Sequence, residues 1–353
     1  MITTTAAGRT WHFSHSMGRL TAEHNESKFG RTGGFSYPMD VAVAGNDVLF
    51  VISRGIGYLK EGESYDIYMR VGKTTMDEDH IGDFARGGFT WPVGIAVSNS
   101  GDVYCSDEHE CTISAFRPDA VRTFPEYDPD GEFFDKWGEK GSEEGQLSGP
   151  SGLAFDANDD LYVVDSMNNR VQKFSKTGDF LTAWGKSGST EGEFNRPWGI
   201  TVDGEGAVYV ADWGNHRVQK FTADGKHLMT FGTHDGTASS LDHPAGVAVD
   251  SDGDVYITDW GNRRVQIFEP NGDVLTSLHG DALELSKAGE YNMARDPESI
   301  KRFRQNEFVM PYLAQFGRPM GIAIDNKDRI IVTDARGRLM VYQKDREYDV
   351  PAS

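Results

Sequence analysis

Residues 196–221 read RPWGITVDGEGAVYVADWGNHRVQKF, and the stretch recurs as HPAGVAVDSDGDVYITDWGNRRVQIF at 243–268 and GPSGLAFDANDDLYVVDSMNNRVQKF at 149–174. Each copy has one grammar. A Pro precedes a short run such as Gly199-Ile200-Thr201-Val202; a polar turn follows, then Val208-Tyr209-Val210, a closing Asp212, a polar bend, and a third run from Val218 to Phe221. β-branched and aromatic residues bounded by turn formers predict strands joined by hairpins. A fourth strand is expected at Phe180 to Gly185 and at Leu228 to Gly232.

Weaker copies extend the pattern outward: RPMGIAIDNKDRIIVTDARGRLMVY at 318–342, WPVGIAVSNSGDVYCSDEHECTISAF at 91–116, and YPMDVAVAGNDVLFVISRG from residue 37. The repeat prolines are Pro38, Pro92, Pro150, Pro197, Pro244 and Pro319, and the spacing between the regular ones (197 minus 150, and 244 minus 197) is 47. Four antiparallel strands every ~40–50 residues describe a propeller blade. The fold class is therefore all-β, a single six-bladed β-propeller of four-stranded antiparallel blades over residues 1–353. The last copy has too little chain after Tyr342 for an outer strand. A strand over about 10–18, containing Thr10-Trp11-His12-Phe13-Ser14, is expected to complete that blade and remove two exposed sheet edges. Longer spacings leave insertions at about 74–90 and 280–312, both expected to be long loops on one face. Within the second, Asp296-Pro297-Glu298 predicts a helix start, with Asp as N-cap and Pro in the first turn.

Forty-one glycines suit many tight turns and do not suit long helices. The formal net charge of −20 opposes phosphate backbones and anionic lipid, so neither nucleic acid nor a membrane surface is an expected partner. Two cysteines, Cys105 and Cys111, do not form a disulfide framework and are expected to be buried thiols on separate strands. The first twenty residues lack the apolar core of a secretory signal, and no run of apolar residues reaches membrane-spanning length; a cytoplasmic chain is expected.

The pattern P-x-G-[IV]-A-[VI]-D followed by [VI]-Y-[VI]-x-D-x-x-N-x-R-[VI]-Q-x-F resembles the NHL repeat, which implies this same propeller and leaves function open. Within that group, Val51-Ile52-Ser53-Arg54-Gly55 resembles the first-blade segment that carries the catalytic Arg in the lyase domain of the peptide-amidating enzyme. The resemblance stops there. That family's zinc histidines occupy the x of Pro-x-Gly, where this chain has Met39, Val93, Ser151, Trp198, Ala245 and Met320, and its catalytic Tyr falls where this chain has Met167. A peptidyl-hydroxyglycine lyase is not expected.

In a propeller of this topology the x of Pro-x-Gly and the bend after each closing Asp share the face around the channel mouth. The closing residues Asp107, Asp165, Asp212, Asp259 and Asp334 are expected to brace their bends through backbone N–H groups. Residues that break the pattern carry the functional expectation. Arg54 follows Ser53 where other copies close with Asp, and Glu108-His109-Glu110 replaces a small neutral bend. A carboxylate beside a His suits proton transfer, and an Arg suits an anionic group. The expected function is thus a small-molecule-binding propeller acting as an enzyme of lyase or hydrolase type. Arg54, His109 and Glu108 are its catalytic residues, and Met39, Met167, Trp198, Trp213, Trp260, Met320 and Arg336 line the pocket. No cofactor is predicted, and no metal-ligating set stands out among the ten scattered histidines; a cation in the channel remains compatible with the pattern. Asp250-Ser251-Asp252-Gly253-Asp254 resembles a calcium loop but sits where every copy has a hairpin turn, and is read as a turn. The alternative function is a non-catalytic scaffold for a protein partner.

Overall fold

The chain enters through β1 (Thr3–Ala6) and β2 (Arg9–Gly18), and the first blade then runs β3 (Pro38–Ala44), β4 (Val48–Ser53), β5 (Arg70–Thr75) and β6 (His80–Phe84). The second blade is β7 (Pro92–Val97), β8 (Val103–Asp107), β9 (Thr112–Arg117) and β10 (Glu132–Trp137). The third is β11 (Pro150–Phe155), β12 (Leu161–Asp165), β13 (Arg170–Phe174) and β14 (Phe180–Trp184), and the fourth is β15 (Ile200–Val202), β16 (Val208–Asp212), β17 (Arg217–Phe221) and β18 (His227–Phe231). The fifth is β19 (Pro244–Val249), β20 (Val255–Asp259), β21 (Arg264–Phe268) and β22 (Val274–Leu278); the sixth contributes β23 (Pro319–Ile324), β24 (Arg329–Asp334) and β25 (Arg338–Asp345). The computed structural model describes residues 3–18, 35–55, 69–85, 88–118, 132–282, 284, 286–287 and 314–345.

Six antiparallel sheets form, five of four strands and one of five, in the order β1-β2-β25-β24-β23. The N-terminal strand β2 therefore completes the sixth blade, pairing Thr10 with Asp345 through to Gly18 with Arg338, and β1 adds a fifth strand outside it. Trp11 and Met17 on β2 are fully buried, and the Trp11 indole N–H donates to the Tyr256 hydroxyl at 2.9 Å, which ties the closing strand to the fifth blade.

The second strand of each blade is buried throughout or nearly so, as in Leu161–Asp165, Val208–Asp212 and Val255–Asp259. Alternate side chains enter the two inter-blade layers, Tyr162, Val164 and Val210 on one joint, Tyr209, Ala211 and Ile257 on the next. Both faces of every sheet are thus apolar contacts, which is why these strands read as near-continuous hydrophobic runs.

Two expectations need correction. Residues 74–90 are not a long loop: they hold the end of β5, a tight turn, and the strand β6, whose Phe84 is fully buried. Cys111 is not in a strand but in the bend before β9, at φ +57°, although it and Cys105 are both buried and free. The helix expected from Asp296 lies outside the described residues. No helix among the described residues is long and apolar enough to cross a membrane.

Candidate functional site

The bends on the mouth face are built alike. Asp212 accepts the Asn195 N–H at 2.8 Å, the Asn215 amide at 2.9 Å, the Arg217 Nε–H at 2.8 Å and the Gln219 amide at 3.1 Å. Asp165 repeats the set from Ser148, Asn168, Arg170 and Gln172. Asp259 takes Asp242 N–H, Asn262 and Arg264, and Asp334 takes Gly317 N–H, Arg318 N–H and Arg338. Four blades therefore carry a buried Asp–Arg pair under the bend. The second blade keeps only the aspartate: Asp107 accepts from the backbone of Thr90, Trp91, His109 and Glu110. The first blade has Ser53 instead.

Inside this ring of bends, the Pro-x-Gly turns form a neck. A Cβ on Gly94 would stand 2.2 Å from the Ser151 carbonyl oxygen, and one on Gly199 would stand 2.4 Å from that of Ala245, so glycine is required at these two joints. The x side chains do not line an open pocket. Met39, Val93 and Met320 are buried together, with Tyr37, Trp198 and Trp260 packed against them. What remains at the neck is a cavity of about 30 Å³ lined by residues including Met39, Val93, Trp198 and Ala245. Below it the channel widens to about 290 Å³ between the first strands of the blades. Asp40 lines both spaces, in the position that glycine fills in the other five copies. Its carboxylate accepts the Val41 N–H at 2.9 Å and the Ile95 N–H at 3.2 Å, and burial nevertheless lifts its pKa to about 7.

Around the neck the irregular residues of the first two blades meet. Arg54 Nη2 donates to Glu108 Oε2 at 2.6 Å, and its guanidinium carbon lies 5.2 Å from the centre of the Trp91 ring. The sequence paired Glu108 with His109; the fold pairs Glu108 with Arg54. His109 Nδ1 instead faces Glu110 Oε1 at 3.2 Å, and its side chain is 61% exposed. The reason is geometric. Consecutive residues of a bend point in different directions, so Glu108 turns inward toward the blade joint while His109 and Glu110 turn out. A Cβ on Gly149, whose φ is +61°, would stand 2.8 Å from Met167 Cγ and 3.7 Å from Glu108 Cγ, and Met167 and Trp91 stay about half exposed on the face, at 48% and 49%. Arg336 lies back against its own blade, donating to the Gln315 carbonyl at 3.0 Å.

A second cluster lies across the mouth face, at the joint of the fourth and fifth blades. Asp242 Oδ1 is 2.6 Å from His243 Nδ1 and 3.4 Å from His216 Nδ1, and the three residues present candidate ligand atoms all within 4.8 Å of one another. His234 stacks on His216 at 3.8 Å, and Trp213 lies 4.0 Å from His243. Trp213 also meets Trp260 at 6.4 Å, and Arg318 sits 4.0 Å from the Trp260 ring centre. Blade packing brings together here three potential ligands that the linear sequence scatters. The usable signal was an offset of 27 residues, from the position after the bend Asn to the residue before the next Pro: the same offset brings Asn169 to Arg196. Asp250, Asp252 and Asp254 form the second carboxylate group, and there Lys344 Nζ already fills the centre, at 2.5, 2.7 and 2.8 Å. The reading of that segment as a hairpin turn stands, with an internal cation added.

Three segments, 147–174, 194–221 and 241–268, match the model of the NHL repeat, and they are the core of blades three, four and five. No curated protein sequence matches the chain. Among solved structures, a protein of unknown function from Bacteroides thetaiotaomicron superposes with a TM-score of 0.62 at 17% identity, covering 96% of this chain and 76% of its own. A streptogramin B lyase superposes with a TM-score of 0.55 at 11% identity, covering 97% and 99%. A gluconolactonase from Xanthomonas campestris reaches 0.55 at 12% identity, covering 88% and 87%. Likeness at these identities is likeness of fold. Enzymes of lyase and lactonase type are built on the same ring as this chain.

Proposed function

From a six-bladed propeller that carries NHL repeats, we propose that the chain is a small-molecule enzyme of lyase or hydrolase type with its site on the mouth face over the joint of the first two blades. The observation that carries this reading is the Arg54–Glu108 pair, 2.6 Å apart and partly sheltered from solvent, in the two bends that lack the Asp–Arg brace of the other four. Relieved of the structural pairing, these positions are free to serve chemistry. Glu108 offers a carboxylate to take a proton from substrate or water, and Arg54 keeps further N–H groups for an anionic group or a developing oxyanion. Trp91 and Met167 supply apolar contact for the rest of the substrate. His109, coupled to Glu110, stands at the rim, where it can exchange protons with solvent.

The test measures turnover by purified protein of gluconolactone and of a streptogramin B antibiotic such as quinupristin, the substrates suggested by the fold's enzymes. Arg54→Ala and Glu108→Gln are each expected to lower kcat/KM at least ~100-fold, the scale of losing a general base or an oxyanion donor, with melting temperature nearly unchanged. Full activity in both variants, or no turnover of either class by the parent, would count against the assignment. A protein-binding scaffold is the second reading, favoured by the exposure of Trp91 and Met167 and by the small volume of the neck.

A further inference from the structure

We propose that His216, Asp242 and His243 form a binding site for a divalent first-row transition cation, with zinc as the reference ion, on the mouth face between the fourth and fifth blades. Nothing in the Arg54–Glu108 reading requires this site, and it involves different blades. Two imidazoles and one carboxylate are the donor set that suits zinc, nickel or cobalt rather than magnesium or calcium. Three protein ligands also leave a coordination position for water or a ligand. Ligands ~2.0–2.2 Å from a tetrahedral zinc lie ~3.3–3.6 Å apart. The Asp242 separation from His216, 3.4 Å, falls within that range, and the one from His243, 2.6 Å, is shorter. Loading the site thus asks His243 and Asp242 to part by up to ~1 Å. The proton that His243 Nδ1 now shares with Asp242 either moves to Nε2 or leaves as the metal arrives.

His216 Nδ1 accepts the His243 backbone N–H at 3.1 Å, so its one lone pair is engaged, and a cation at this nitrogen would take the place of that hydrogen bond. His234 Nδ1 lies 3.0 Å from the Leu241 carbonyl, which fixes its own ring while it stacks on His216.

A purely structural role for these residues is already visible elsewhere in the ring and can be subtracted. At the preceding joint Asn169 Oδ1 accepts the Arg196 N–H at 2.8 Å, which is the contact His216 makes to His243. The brace therefore needs only an acceptor, and Asn with Arg supplies it without any metal-ligating group. His216→Asn and His243→Arg convert the fourth joint into a copy of the third and preserve the fold by design.

The experiment uses the full chain without an affinity tag, stripped of metal by chelation and titrated with Co2+ by absorption and with Zn2+ by calorimetry. One ion per chain is expected, with Co2+ absorption in the visible range of a low-coordinate site. Each of H216N and H243R is expected to weaken binding more than ~100-fold, since even outer-shell changes cost ~10–100-fold. X-ray absorption of the loaded parent protein, which depends on no variant, is expected to report two imidazoles and one carboxylate. Absence of saturable binding of either ion, undiminished binding in both variants, or a spectrum without imidazole would overturn the proposal. R54A retains metal binding on this account, so its loss of turnover with an intact Co2+ spectrum would separate the two readings.

Discussion

Asp40 stands in a column of glycines. The other copies place Gly94, Gly152, Gly199, Gly246 and Gly321 at the neck, and only the first blade projects a side chain there, between the 30 Å³ and 290 Å³ spaces of the channel. Burial raises its carboxyl to about 7, against a usual value near 4, despite the N–H groups of Val41 and Ile95. The sign of the pH effect follows. An acid whose pKa is higher folded than unfolded holds its proton more tightly in the folded state. Its favourable contribution is complete below about pH 4 and is lost as the pH rises through about 7. At ~1.4 kcal/mol per unit, the loss between pH 4 and pH 8 is on the order of 4 kcal/mol. Asp40→Asn is expected to remove this slope and to be the more stable protein at pH 8, measured as urea midpoints across that range. Parallel midpoints for parent and variant would show the carboxyl to be solvated through the channel. The segment YPMDVAV betrays this residue only when aligned on the Pro-x-Gly frame, and nothing in the sequence alone tells that the position faces the channel. His216 was hidden in a similar way: as the fifth residue of the DWGNH bend it looks like repeat, and only its partner one blade on gives it meaning.

Strands were legible where their own residues specify them. Val-Tyr-Val and Arg-Val-Gln-Lys-Phe runs bury alternate side chains in successive joints, and the expected strands of blades three to five all formed. The outer strands depend on their partners instead. β6, His80-Ile81-Gly82-Asp83-Phe84, has little β propensity of its own and forms because β5 offers a ladder and Phe84 fills the joint beside Phe50 and Phe116. Asp83 adds a contact with Arg70 Nε at 3.2 Å, substituting in the first blade for the Asp–Arg brace of the others. At the far end of the sheets, β25 carries Lys344 into the β19–β20 turn, where its buried ammonium meets Asp250, Asp252 and Asp254 while Arg9 on β2 reaches Asp254 at 2.9 Å. Like charges so close are tolerable only around a cation. Lys344→Met keeps the length of the stem and removes the charge, and is expected to cost about 3–5 kcal/mol by leaving the buried Asp250 without its cation, Arg9 reaching Asp254. Chemical denaturation checks this. A loss below about 1 kcal/mol, the value of an exposed pair, would mean that the three carboxylates find water.

At the scale of the whole ring, stability rests on the join between the two ends of the chain. Five blades are each continuous in sequence, but the sixth borrows its outer strand from residues 9–18, so the propeller is closed like a strap. The join is substantial: β2 and β25 are paired over eight register positions, Trp11 and Met17 are buried, and Trp11 reaches across to Tyr256. Removing residues 1–18 would expose the β25 edge together with the apolar surface of Tyr342 and Met340, a template for pairing with another chain. The loss of Trp11 alone is worth ~3–5 kcal/mol. The truncated protein is therefore expected to lose its cooperative melting transition or to associate through the open edge. A peptide of residues 1–18 added in trans should restore both the transition and the sedimentation of the parent chain, because the missing strand brings its own register in the Phe13–Tyr342 contact and the Trp11 anchor. The same peptide with Trp11→Ala should restore neither at equal concentration. Thermal melting and sedimentation read the outcome directly. A truncated chain that melts as sharply as the parent, without the peptide and without associating, would mean that the blades hold the ring through their mutual faces alone and that the strap is an addition to an already closed structure.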